Sequence, residues 1–311
     1  MSDAWHKMVT EKNIDISGIK HLYPFKSNYT EIKGIKYHYI DEGSGNPVLM
    51  IHGNPTWSFY FRSLIKDLSP EFRAIAPDHI GCGLSGKPDS SDYDYRLKSR
   101  VEDMDLFLNR LKLTGRISLI LHDWGGMIGM AYAVKNPEKI CSVVVMNSAA
   151  FFPPGGKMKI PLRLRIIRNI SPLAKIAVLG FNLFAKSALY MASYKGLSKD
   201  VKKGLIAPYN SWRNRIATLR FVQDIPLGKN DPSYDTVKYV DDNLHKLADI
   251  PLLICWGKHD FVFTENYLAE WQKRFPKAET HLFENAGHYV LEDEPEKISF
   301  IIKDFLKRHM L

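Results

Sequence analysis

Short apolar runs of strand length recur along the chain, separated by stretches whose apolar residues fall at helical spacing. The runs are PVLMIHG from Pro47, RAIAPDH from Arg73, ISLILHD from Ile117, CSVVVMNS from Cys141, PLLICWG from Pro251 and THLFEN from Thr280. Continuous Val, Ile and Leu suit strands covered on both faces, the condition of a mainly parallel sheet with helices on either side. Leu97, Val101, Met104, Phe107, Leu108 and Leu111 predict a helix over 96–111, and similar patterns predict helices over 126–134, 265–274 and 296–307. The earlier IKYHYIDEG alternates polar and apolar residues, which predicts an antiparallel edge strand beginning the sheet.

From Asn147 to about Tyr234 the strand rhythm stops, and helical pieces bounded by Pro and Gly replace it. The expected organisation is an α/β core over 1–150 and 235–311, with a helical cap inserted over 151–234. A chain of 311 residues, 45% of them apolar, is long enough to bury such a core. The most apolar stretch, LAKIAVLGFNLFAKSALYMA from Leu173, is broken by Lys175, Asn182 and Lys186, short of the roughly 20 residues of a spanning helix. MSDAWHKMVTEKN has no apolar core behind a basic start, so no secretory signal is read and a cytoplasmic protein is expected. Cys82, Cys141 and Cys255 are odd in number and widely spaced, which predicts small core residues in place of a disulfide framework or a zinc site.

Charge changes the picture of the cap. The stretch 151–229 holds 15 Lys and Arg against Asp200 and Asp224, a net of +13, so the remainder carries −4 of the chain's +9. A solvated basic face is the commonest outcome of such a bias; an anionic membrane surface or an acidic partner protein is what it would otherwise suit. No nucleic-acid motif accompanies it.

Asp123 follows ISLIL and precedes WGGMIG, at the carboxyl end of a central strand and the start of the next helix, where open α/β sheets bind ligands. It reads as the nucleophile of a strand–turn–helix elbow, or as a simple helix cap. Three other sites favour the first reading. HGNPTW, His52 to Trp57, follows a strand and supplies the loop whose backbone N–H, with that of Trp124, would form an oxyanion hole; the Asn54 amide adds a donor, and a plain turn is the alternative. NAGHYVLEDEP places His288 in a loop after the last apolar strand, and CWGKHDFVF places Asp260 where its carboxylate would orient that imidazole. The chain order nucleophile, acid, histidine is that of α/β hydrolases. Ser85 in GCGLSG lacks the elbow setting and reads as structural.

An aspartate is ionised without help from a base, so His288 is left free for a second step. Attack by Asp123 on a saturated carbon would give an alkyl ester, which His288 would open by activating water. An ordinary ester substrate would instead give a labile anhydride, so carbon–halogen bonds and strained rings are the expected targets.

HGNPTW, DHIGCGLS, LHDWGG and AGHYVLEDEP, spread over about residues 30–150 and 235–308, closely resemble haloalkane dehalogenases. The resemblance implies an α/β-hydrolase fold, no cofactor or metal, and leaving-group binding by the side-chain N–H groups of Asn54 and Trp124. PYNSWRNRIATLRFVQDIPL, Pro208 to Leu227, is similar to the third dehalogenase subfamily, and within it to the β-lactone decarboxylases of bacterial long-chain olefin synthesis. That branch is implied to open a cis-3,4-dialkyl β-lactone and release CO2 and a cis-alkene; the carbon attacked stays open. Epoxide hydrolases share the HDWGG elbow but carry an aromatic residue at the position of Asn54 and use two lid tyrosines, for which Tyr190, Tyr194, Tyr209 and Tyr234 are the candidates. A receptor that binds an apolar ligand without turnover would not need Asp123, His288 and Asp260 together.

Overall fold

The computed structural model describes residues 14–155, 160–169 and 171–309; the amino-terminal stretch read for a secretion signal, 1–13, lies outside them. Eight strands form one sheet: β1 Asn28–Ile32, β2 Ile35–Glu42, β3 Pro47–Ile51, β4 Arg73–Pro77, β5 Ile117–Asp123, β6 Ile140–Ser148, β7 Leu252–Gly257 and β8 Glu279–Phe283, in the order β1-β2-β4-β3-β5-β6-β7-β8. From β4 to β8 every pairing is parallel, whereas β1–β2 and β2–β4 are antiparallel.

Alternation within each apolar run sends successive side chains to opposite faces. Leu49, Ile51, Leu119, Leu121, Val143, Val145, Ile254 and Trp256 join one core, while Val48, Met50, Ile120, Val144, Met146, Leu253 and Cys255 join the other. Helices α1 Arg62–Leu68, α2 Leu97–Leu111, α3 Trp124–Lys135, α8 Tyr234–Asn243, α9 Glu265–Arg274 and α10 Pro295–His309 cover the sheet. Between β6 and β7 the described residues contain no strand. They form α4 Leu162–Asn169, a helical stretch Ser171–Gly180 that passes from α to π, α5 Leu183–Met191, α6 Lys199–Ile206 and α7 Ile216–Gln223 before α8. All three cysteines are free and buried.

One expectation is corrected. The IKYHYIDEG strand, β2, does not edge the sheet, because β1 pairs outside it through a two-residue turn at Lys33 and Gly34, both with positive φ. β1 buries only Ile32 and so carries no apolar run; the Lys-Gly step between two short stretches is the signal that marks it. The interior place of β2 explains its buried His38, whose Nδ1 lies 2.7 Å from the Asp78 carboxylate.

Candidate active site

Asp123 ends β5 with φ 50° and ψ −127°, a backbone conformation costly for a residue with a Cβ. The bend is held from two sides. Ser148 Oγ donates to the Asp123 carbonyl at 2.5 Å. Gly125 and Gly126 let α3 approach the sheet so closely that a Cβ on either would stand within 2 Å of the Ile51 carbonyl oxygen or of Ser148 Oγ. The Asp123 side chain makes no helix-capping hydrogen bond. Its Oδ2 instead accepts the backbone N–H of Asn54 at 2.6 Å, and the adjacent Trp124 N–H favours its charged form. Burial pushes the Asp123 pKa above its usual value, against the opposing pull of His288 and the two N–H donors.

The HGNP loop is positioned by a buried histidine pair. His79 N–H donates to His52 Nε2 at 3.1 Å, so His52 carries its proton on Nδ1 and donates to the Gly53 carbonyl at 2.7 Å. Burial holds His52 neutral, its pKa lowered to about 4. Asp78, in the same DHIGCGLS segment, accepts the backbone N–H groups of Ser58 and Leu84 and so ties that loop to the one after Trp57.

His288 and Asp260 meet from loops after β8 and β7, with Nδ1 2.8 Å from Oδ2. Asp260 Oδ1 accepts the N–H groups of Val262 at 2.6 Å and Phe263 at 3.0 Å, and Oδ2 also accepts Asn147 Nδ2 at 2.9 Å. Burial disfavours the charged imidazole, but the Asp260 charge and hydrogen bond, with the Asp123 charge, outweigh it and raise the His288 pKa. The His122 ring packs against His288 at 4.8 Å with its Nε2 2.9 Å from the His288 carbonyl, and is kept neutral by burial.

Asp123, Trp124, Asn54 and His288 all line one cavity of about 940 Å³. Its walls are almost entirely apolar, from Met127, Phe151, Val222 and Phe263 deep inside to Leu162, Ile166 and Leu183 of α4 and α5. With Nδ1 engaged by Asp260, His288 keeps Nε2 for the cavity. Of the five residues singled out in the sequence, four share this wall, and the fifth, Asp260, stands behind His288. Asn54 differs in detail from expectation: its Nδ2 donates to the Thr218 carbonyl of α7 at 3.0 Å, which leaves one amide hydrogen for the cavity, while Oδ1 is buried without a partner among the described residues. The four tyrosines raised as epoxide-opening candidates do not line the cavity. Tyr209 is buried against Thr56, Tyr194 stacks on His259, Tyr234 packs on Phe152, and Tyr190 is exposed.

Sequence reasoning missed Asn147 as a support for Asp260. It stands one residue before the end of β6 at φ 38°, and its Oδ1 and Nδ2 clasp the Gly257 N–H and carbonyl as well as Asp260. An Asn at the end of an apolar strand run was the available signal, since Asn is among the residues that tolerate a positive φ.

A parallel sheet with an aspartate elbow, an acid–histidine pair and an apolar cavity defines an α/β hydrolase. Comparison agrees, since a family model described as the alpha/beta hydrolase fold matches residues 46–295. A cis-3-alkyl-4-alkyloxetan-2-one decarboxylase of Shewanella oneidensis is 48% identical over 286 residues, 92% of this chain and 89% of that protein. Haloalkane dehalogenase 2 of Mycobacterium tuberculosis is 30% identical, over 93% of this chain and 98% of that one. The crystal structure of haloalkane dehalogenase DatA from Agrobacterium tumefaciens superposes with a TM-score of 0.80 at 25% identity, covering 91% of this chain and 96% of that chain. The chain belongs to the α/β-hydrolase family, in the branch that holds these decarboxylases and dehalogenases.

Proposed function

We propose that this chain is an Asp-nucleophile enzyme that opens a cis-3,4-dialkyl β-lactone and releases CO2 and an alkene, with 151–234 as a cap over the core 1–150 and 235–311. The observation that carries this reading is the placement of Asp123 Oδ2 against the Asn54 N–H at 2.6 Å, with the Trp124 N–H favouring the charged carboxylate. A hole that already holds one oxygen of the nucleophile's own carboxylate suits an enzyme-bound ester, whose carbonyl oxygen would stay there.

Attack by Asp123 on C4, the saturated ring carbon bonded to the ring oxygen, breaks the C4–O bond, leaving an alkyl ester on Asp123 and a free carboxylate on C3. That leaving group is a weak base and needs no proton. Scission of the C–CO2 bond then sends its electron pair into the new C=C bond as the ester C–O bond breaks. Asp123 is regenerated and no water is consumed. A protonated His288 would present Nε2–H to the substrate carboxylate, with Asp260 orienting the ring. The apolar cavity supports two alkyl chains as the groups bound. The identity of the Shewanella oneidensis decarboxylase to this chain supports the same choice.

The second reading, hydrolysis of a haloalkane, rests on Trp124 and the remaining amide hydrogen of Asn54 facing the same cavity. Here His288 would activate water against the Asp123 ester. Purified protein given a long-chain cis-β-lactone and 1-bromohexane in parallel separates the two. Alkene measured by gas chromatography, absent with Asp123→Ala, supports the decarboxylase; bromide release without alkene returns the protein to the dehalogenases.

A further inference from the structure

Eight of the fourteen large apolar side chains exposed on the described surface fall between Leu162 and Tyr194: Leu162, Ile166, Leu173, Ile176, Phe181, Leu183, Tyr190 and Tyr194. Leu173 and Phe181 are 64% and 63% exposed. Concentration of this kind on one segment marks an interaction face, because apolar side chains scattered singly are what a monomer tolerates. The segment is built of two short pieces, Pro172–Gly180 and Leu183–Met191, bent 68° at Asn182, which has a left-handed backbone with φ 57°. Together they are apolar enough, though no single described helix is long and apolar enough, to cross a bilayer.

The charge carried by this segment has one sign, although Arg168 and Lys195 are paired with Asp231 and Glu294 from outside it. From Phe151 to Lys199 the sequence holds nine Lys and Arg and no Asp or Glu. Arg165, Lys175 and Lys186 are exposed and enter no ion pair among the described residues. The cavity that reaches Asp123 is walled at its outer end by Leu162, Ile166 and Leu183, members of the same face.

We propose that this face, Leu162–Phe181 with α5, docks on an anionic lipid bilayer, its apolar side chains seated among the acyl chains and Arg165, Lys175 and Lys186 at the headgroups. A lipid surface is favoured over an acidic protein because apolar and basic residues are interleaved within single helical turns, as in helices that lie in a membrane interface. The apolar mouth opening within the contact gives a lipid-like ligand a path to Asp123 that avoids water. That last consequence rests on the function proposed above; the docking itself does not.

Co-sedimentation of the full chain with vesicles of phosphatidylcholine alone, and of equimolar phosphatidylcholine and phosphatidylglycerol, tests the docking. The protein is expected to pellet with the anionic vesicles and far less with the neutral ones. Lys175→Glu/Lys186→Glu should weaken binding about tenfold or more, with high salt acting in the same direction. Leu173→Ser/Ile176→Ser/Phe181→Ser, none of which lines the cavity, should abolish binding while the thermal melt and the turnover of a short, water-dispersed lactone remain those of the wild type. Absence of binding to anionic vesicles overturns the proposal, as does binding that the two sets of variants leave unchanged. Self-association of the wild type lost in the triple variant, without vesicle binding, would assign the face to a second copy. Failure of the function proposed above would appear separately, as absence of alkene in every variant.

Discussion

Asn147 Nδ2 donates to the Asp260 carboxylate at 2.9 Å, on the oxygen that also meets His288 Nδ1. The amide thus fixes the carboxylate that fixes the His288 ring, without lining the cavity. Asn147→Ala should leave Asp260 short of a donor and Gly257 without its partner. About 1–3 kcal/mol of stability should be lost, read by denaturant titration. kcat should fall while KM stays close to the wild-type value, because the substrate wall is unchanged; a changed KM with constant kcat would contradict the positioning role.

The pair has a pH signature. His288 is held above the usual histidine pKa, so the stabilisation it gives is present below the unfolded value and lost as pH rises through the raised one. Asp260→Asn removes the favourable charge and leaves burial, which lowers the pKa. NMR titration of His288 should therefore move to lower pH in the variant, and any rate that needs the neutral imidazole should rise at lower pH too. A titration unmoved by Asp260→Asn would sink the assignment of the acid.

Much of this arrangement was legible from sequence because it is local. Five apolar runs buried on both faces mark β3 to β7 directly, and the elbow, the HGNP loop, His288 and Asp260 each follow one of the sheet's strands. The edge was not legible in the same way: β1 buries one side chain, so its ladder with β2 carries what hydrophobic pattern does not. Nor was the link from Asn54 to Thr218, which joins residues 164 apart in sequence through a backbone carbonyl and leaves no side-chain signature.

The two functions of Asn54 are separable. Its backbone N–H meets Asp123, while its side chain reaches Thr218 and the cavity. Asn54→Ala keeps the first and removes the second. Bromide release from a bromoalkane should fall by about 10²-fold, the scale of losing one preorganised donor, whereas alkene formation should fall much less. Equal losses in both reactions would show that the side chain does not discriminate a halide.

Close packing at the elbow predicts a structural lesion. A methyl group on Gly125 would sit 1.9 Å from the Ile51 carbonyl oxygen, which is backbone in a central strand and has nowhere to go. Gly125→Ala should cost about 3 kcal/mol or more, in the range reserved for overpacking and strain, seen as a loss of soluble protein or a sharply lower Tm. A variant with wild-type Tm would mean that the helix can draw back from the sheet.

The central claim is that Asp123 carries the substrate covalently. Rapid-quench mass spectrometry of the Asp123 peptide, after mixing with a cis-β-lactone, tests it most directly. Ring opening retains every atom of the lactone, so the peptide should gain the full lactone mass transiently, and the adduct should decay as alkene and CO2 appear. Alkene formed with no adduct on Asp123, or formed equally by Asp123→Ala, would contradict the account.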